Sequence, residues 1–251
     1  MSGHSKWASI KHKKGAKDAK RGKLFSKLGK EITVAARQGG GDLDTNPRLR
    51  TVVQAARDAN MPADNISRAV KKGTGELPGV SYEEVVYEGY GPAGVAILIR
   101  ALTDNRNRST AEIRNIFDKK GGNLAGPGSV AYLFEKKGFF SVAREGVDEE
   151  ELFAMALEAG AEDFRTEDDL FEIYTLPSDF EAVRKALSEQ KIPINLAEIT
   201  ELSTNEVPVS ADVVRKVLGL LNALEEHDDI QNVYSNCDIP EEILKELESE
   251  D

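Results

Sequence analysis

Residues 82–103 read YEEVVYEGYGPAGVAILIRALT, and the fold class turns on how their glycines are taken. Gly89, Gly91 and Gly94 have the i, i+2, i+5 spacing of a dinucleotide-binding fingerprint. That fingerprint needs a helix after the last glycine, with the pyrophosphate seated on its N-terminus. The chain continues instead with VAILIRAL at 95–102, a β-branched and aliphatic run that suits a strand. A Gly/Pro-rich turn between strands at 82–88 and 95–103 explains the same residues without a ligand, so the sequence predicts an antiparallel hairpin.

Working outward from the hairpin, DNRNR at 104–108 is a polar loop, and Ser109 and Glu112 have capping-box spacing ahead of a helix carrying Ile113, Ile116 and Phe117. Gly121-Gly122 ends that helix, and a third strand is expected at 129–135. Residues 139–202 then read strand 139–143, helix 149–159, strands near 163–165 and 170–175, helix 179–189 and strand 195–202, the β-α-β-β-α-β order of a ferredoxin-like sandwich. The helix at 211–226 and the strand at 230–235 would be orphaned alone and instead complete the earlier sheet. Residues 139–202 are therefore expected as an insertion within a discontinuous middle domain of 78–138 plus 203–240, with an acidic tail at 241–251.

Upstream lie three helices. Leu24, Leu28, Ile32 and Ala35 form an apolar stripe that ends at Gly39-Gly40-Gly41. Asn46-Pro47 opens a second helix with Leu49, Val52, Val53 and Ala56, and Pro62 opens a third with Ile66, Ala69 and Val70, closed by Lys71-Lys72-Gly73. TGELPG at 74–79 serves as a linker, which gives a first domain of 1–77. The expected fold class is α+β: an N-terminal three-helix bundle with a basic arm, followed by two α/β-sandwich, ferredoxin-like domains, the second inserted in the first.

The chain has 251 residues, 40% hydrophobic and 31% charged, with a formal net charge of −11. Residues 1–73 hold 17 Lys and Arg against 6 Asp and Glu, a net of +11, which leaves 16 against 38, a net of −22, for residues 74–251. Such asymmetry is the footprint of a basic module that meets nucleic acid, carried on a body that repels it; the plainer alternative is a solvated helical surface whose charge is one-sided. No 18-residue uncharged apolar run and no secretory leader are legible, and the single Cys237 has no disulfide partner. These features point to the cytoplasm, with no membrane partner.

Residues 3–30 concentrate ten Lys and Arg against one Asp. Lysine stems carrying point charges suit phosphate contact, whereas arginines that read guanine are few. With only Trp7 and Phe25 as aromatics, a base-stacking platform is unsupported, and recognition of backbone or shape is expected. Trp7 either wedges against nucleic acid or anchors packing. GAKDAKRGKL at 15–24 departs from a phosphate-binding P-loop in its glycine spacing and in the leucine where Ser or Thr belongs. Arg106 and Arg108 stand at a helix entrance where anions bind, or else pair with the body's carboxylates. Catalysis lacks its usual traces: His4, His12 and His227 have no metalloprotease spacing, and Ser129 lies outside a nucleophile elbow. No enzyme, metal, cofactor or small-molecule substrate is expected.

GHSKWASIKHKK at 3–14, RGKLFSKL at 21–28, YEGYGPAGVA at 87–96, LTDNRNR at 102–108 and GSVAYLFEKKG at 128–138 closely resemble the YebC/PmpR family. The resemblance implies a helical N-terminal domain followed by two α/β domains, and no cofactor. It further implies either a probable transcriptional regulator that binds promoter DNA, or a ribosome-associated translation factor that eases synthesis of proline-rich stretches and whose acidic body suits basic ribosomal proteins. By this resemblance nucleic-acid contact, to DNA or ribosomal RNA, is carried onto Lys6, Lys11, Lys13, Lys14, Lys17, Lys20, Arg21, Lys23 and Lys27, and onto Arg106 and Arg108 at the loop; Trp7 joins these candidates from its own reading as a wedge.

Overall fold

The computed structural model describes residues 18–167 and 169–239, and of residues 18–20 the backbone. The arm expected before Asp18 and the tail expected at 241–251 lie outside the described residues. The chain begins as three helices, α1 (Asp18–Gly39), α2 (Pro47–Asp58) and α3 (Ala63–Thr74). Their apolar stripes converge on a core that includes Ile32, Leu49, Val53, Ala56, Met61 and Ile66, with Phe25 and Leu28 packed against it. Asn46 fastens the first two helices together. Its Oδ1 caps α2 by accepting from the Leu49 N–H at 3.0 Å, while its Nδ2 donates to the carbonyls of Ala35 and Gly40 near the end of α1. Gly73 lets α3 press on α1: a Cβ there would stand 2.5 Å from the Thr33 carbonyl oxygen and 2.6 Å from the Ala36 Cβ.

Next come the strands β1 (Glu83–Tyr90), β2 (Ala96–Thr103) and β3 (Asn123–Ala125), which join β9 (Ile230–Ser235) in a four-stranded antiparallel sheet of order β3-β1-β2-β9. β1 and β2 form the hairpin, with Glu83 opposite Thr103 and Tyr90 opposite Ala96. Pro92–Gly94 makes the turn, with Ala93 and Gly94 both at positive φ. Gly89 is not a turn residue. It lies within β1, where a Cβ would stand 2.6 Å from Phe117 Cζ, so its absence lets the helix α4 (Arg106–Lys119) close on the sheet. With α7 (Ala211–Glu225), α4 covers one face and buries Ile97, Ile99, Ile113, Phe117, Val217 and Leu221 in the main core. Leu98 faces the other way, against Val130, Phe134 and Tyr234.

The third strand differs from its expected place at 129–135. β3 pairs with β1 at 123–125, and residues 131–133 form a 3-10 turn. The reason is a side chain on a neighbouring strand: the buried Glu88 carboxylate accepts the N–H groups of Gly128 (2.6 Å), Val130 (2.7 Å) and Ala131 (2.8 Å). Burial alone would raise this carboxyl's pKa; the backbone donors outweigh it and hold the group below its ordinary value. Donors committed to a carboxylate are not available for a ladder.

The next strand, β4 (Phe134–Ala143), starts at Phe134 rather than at 139 and belongs to a second sheet, ordered β5-β6-β4-β7 with β5 (Ala161–Thr166), β6 (Leu170–Thr175) and β7 (Ile194–Ser203). All its neighbouring pairs are antiparallel, and α5 (Glu149–Glu158) and α6 (Phe180–Glu189) pack on it, with Phe140 stacked on Phe180 at 4.7 Å. This is the split βαβ plan. The chain then returns to the first sheet through α7 and β9, with Ile97 opposite Ser235, so the second sandwich is inserted in the first. The short pair of β8 (Val207–Pro208) and β10 (Cys237–Asp238) closes the return.

Candidate nucleic-acid interface

Because Leu28, Ile32 and Ala35 turn toward α2 and α3, the lysines at 23, 27 and 30, spaced four and three apart, share another face of α1. That face lies across the C-terminus of α7. A helix C-terminus carries unpaired carbonyls and the negative end of the macrodipole, which cations nearby stabilise. α7 has no basic residue in its last turn and is followed by Glu226, Asp228 and Asp229. α1 supplies the missing charge. Lys27 Nζ donates to the Glu225 carbonyl at 2.9 Å, Lys23 Nζ to the Glu226 carbonyl, and Lys30 Nζ to the Asp228 carbonyl at 3.0 Å and to Asp229 Oδ1 at 2.8 Å. Lys30 also sits 5.4 Å from the centre of the Tyr82 ring.

Asp229 is the hub of this junction and is buried. Its second oxygen accepts from Arg108 at 2.7 Å, Ser109 Oγ at 2.7 Å and Thr103 Oγ1 at 3.2 Å. Burial on its own would raise the carboxyl's pKa, but the hydrogen bonds from Lys30, Arg108 and Ser109 prevail and hold it far below the usual carboxylate range. Asn105 caps α4 by accepting the Arg108 N–H, and the Arg108 guanidinium bridges Asp104 (2.9 Å) and Asp229. His227 Nδ1 accepts the Asp229 N–H at 3.1 Å, so the neutral ring carries its hydrogen on Nε2, 2.9 Å from Glu112 Oε2. Lys23, Lys30, Tyr82, Arg108, His227 and Asp229 are among the groups that line an open cleft of about 580 Å³. Ser109 Oγ bonds Asp229 and Thr103, and the His227 ring bonds Asp229 N and Glu112, so serine and histidine do not form a nucleophile–base pair. Among the described residues no three His, Cys, Asp or Glu side chains are grouped to hold a metal.

Further bonds between bundle and body are polar as well. Arg48 meets Glu84 at 2.6 Å, Gln38 donates to the same carboxylate at 3.1 Å, Arg37 reaches Ser81 at 2.5 Å, and Thr51 lies 3.5 Å from Glu181 of α6.

The sequence-predicted site residues separate into three groups. Lys6, Trp7, Lys11, Lys13, Lys14 and Lys17 lie outside the described residues, and Lys20 stands in the first turn of α1. Arg21 and Arg106 are exposed, the latter in the first turn of α4. Lys23 and Arg108 line the cleft and Lys27 stands on the same junction, each bound to groups of this chain. For Arg108 this is the carboxylate pairing that the loop left open as an alternative. Sequence reasoning missed Lys30 and Asp229, although the four-then-three lysine spacing and the acidic residues just past α7 were visible signals. It also missed Arg68, Lys71 and Lys72 on α3, which are exposed and have no ion-pair partner among the described residues.

Fold and junction together define a class of protein: a cationic helical module fastened by polar contacts to an acidic double α/β body. The chain belongs to the TACO1/YebC family, whose N-terminal domain model matches residues 5–76 and whose second-and-third-domain model matches residues 82–237. A relative from Halothermothrix orenii is 57% identical over 253 residues, covering all of both chains, and one from Dictyoglomus turgidum is 56% identical over 248 residues, 98% of this chain and 100% of the other. Both are named probable transcriptional regulatory proteins. The crystal structure of a conserved hypothetical protein from Aquifex aeolicus superposes with a TM-score of 0.83 at 51% identity, covering 93% of this chain and 97% of that one. No described helix is long and apolar enough to cross a membrane.

Proposed function

We propose that this chain is a non-enzymatic regulator of gene expression that acts in the cytoplasm by binding DNA, with the phosphate backbone as its main contact. The observation that carries this reading is the charge division, a net of +11 in residues 1–73 against −22 in residues 74–251. The names of the relatives, probable transcriptional regulatory proteins, support the same reading. The lysines at 6, 11, 13, 14, 17 and 20 supply phosphate contacts in number but little base-reading chemistry, so affinity is mostly electrostatic. Arg68, Lys71 and Lys72 extend the cationic surface onto α3. The acidic body keeps the polymer off the two sandwiches.

Crosslinking in growing cells, with sequencing of the bound DNA and RNA, tests the assignment. Enrichment of promoter DNA that is lost when Lys11, Lys13, Lys14 and Lys17 are changed to glutamate is the expected result. Enrichment of ribosomal RNA in its place, or of neither polymer, refutes DNA regulation.

A further inference from the structure

We infer that the Lys23, Lys27 and Lys30 row is a second polyanion-binding surface, covered in this structure by the negative end of α7, and that nucleic acid gains it only when the helical bundle lifts off the body. The inference rests on the proposed function and adds a competition within the chain. Three ammonium groups on one helix face form a linear array, and the α7 exit presents an array of the opposite sign: the carbonyls of Glu225, Glu226 and Asp228 together with the Asp229 carboxylate. A phosphodiester strand also presents a row of acceptors, with a full charge on each. α7 therefore occupies the row as a stand-in for the polymer.

Two features fit this junction for opening. The buried apolar core of the bundle, from Ile32 to Ala69, shares no residue with that of the middle domain, from Val85 to Ile239, and the bonds that Lys30, Arg37, Arg48 and Thr51 make to the body are polar. An interface of that kind is weakened by salt and competed by charged ligands, and relative domain motion is its ordinary behaviour. Second, release of Lys30 does not strand Asp229. Arg108, Ser109 and Thr103 all come from the body and stay on its other oxygen. The carboxylate that anchors the bundle thus keeps its compensation when the bundle leaves, which avoids the large cost of an unpaired buried charge.

The test uses the full-length chain with spin labels at Ser67→Cys on α3 and Lys216→Cys on α7, both exposed, while binding of a fluorescent DNA duplex is followed by anisotropy on the same samples. The expected result is a short, narrow label distance without DNA and a longer distance whose population follows the binding isotherm. Glu225→Gln, Glu226→Gln and Asp228→Asn leave the covering carbonyls in place but remove three negative charges beside them, which weakens the hold of the α7 exit on the lysines and should tighten duplex binding roughly three- to tenfold by shifting the equilibrium toward the open form. The same number of changes at Glu149, Glu150 and Glu151 should leave it within about twofold. Saturable binding with an unchanged distance overturns the inference and leaves the proposed function standing. Equal tightening from both sets of changes also overturns it, whereas no binding at all overturns both.

Discussion

Lys30 Nζ and Asp229 Oδ1 meet at 2.8 Å across the junction of bundle and body, and Arg108 holds the other oxygen of the same carboxylate at 2.7 Å. One buried acid thus ties together α1, the entrance of α4 and the exit of α7. Replacing it with a neutral isostere leaves two cations facing an amide that cannot balance them. Asp229→Asn is expected to cost about 3 kcal/mol, the range for removing one partner of a buried ionic network. Urea denaturation at constant m-value reads it, and a loss below about 0.5 kcal/mol would contradict the role given to this residue.

The same carboxyl makes one contribution to the pH dependence of the junction. It stands beside Glu31, whose pKa burial raises, and Glu84, where burial is outweighed by hydrogen bonds from Arg48 and Gln38 that hold the group below its ordinary value. The pKa of Asp229 is lower in the folded chain than the unfolded value of about 3.9. A depressed folded value means that its stabilisation is fully present above the unfolded pKa and is lost as pH falls through the folded one. The part of bundle docking that Asp229 carries, read as the difference between the parent and Asp229→Asn by small-angle scattering or by the distance between the labels on α3 and α7, should be constant from pH 8 to about pH 5 and fail only in strong acid. A transition near neutral pH would contradict control by this carboxyl.

Glu88 presents a different case, a carboxylate that shapes a loop. Glu88→Gln keeps the size but turns an amide donor toward backbone N–H groups that need acceptors. A loss of about 2 kcal/mol is expected, from unsatisfied donors and a lost charge-assisted bond. Amide hydrogen exchange at Gly128, Val130 and Ala131 should accelerate first, and equal protection in the variant would rule this anchoring out.

Gly73→Ala tests the packing of α3 on α1. A methyl group 2.5 Å from the Thr33 carbonyl must push the helices apart. Overpacking of this kind costs about 1–3 kcal/mol, against the gain that alanine normally gives in an exposed helix. A variant as stable as the parent would show that the two helices have room to spare at this contact.

Cys237 is buried, and burial pushes its thiol up to about 12. Thiol reagents attack the thiolate, so labelling at neutral pH should be at least about a hundredfold slower than for a free thiol and should track global unfolding. Rapid labelling in native buffer would mean that the β8–β10 closure opens independently.

Much of this fold is legible in the sequence because local signals agree with it. The apolar stripes of α1 to α3 place the bundle, the VAILIRAL run settles the hairpin, and the alternation of strands and helices across 139–202 gives the split βαβ plan. The return of β9 to β2 is legible only indirectly, from a helix and a strand left without a sheet of their own. Long-range contacts decide the rest. The apolar pattern at 129–135 looks like one strand of the first sheet, yet Glu88, forty residues earlier, takes the backbone donors of its first half, and its second half starts the other sheet. Gly89 reads as part of a turn because nothing nearby in sequence reveals Phe117 above it. At the candidate site the cationic row is visible in the sequence but its partners are not, since the end of α7 lies some two hundred residues away and offers mostly carbonyl oxygens, which no residue type announces.

The salt dependence of duplex binding tests the charge-division reading most directly. Each phosphate neutralised should contribute about −0.9 to the slope of log K against log salt concentration. For the intact chain a slope of roughly −4 or steeper is expected, falling by about 3 when Lys11, Lys13, Lys14 and Lys17 are reversed to glutamate, with folding unchanged by circular dichroism. A slope near zero, or the same slope in the reversed variant, would contradict it.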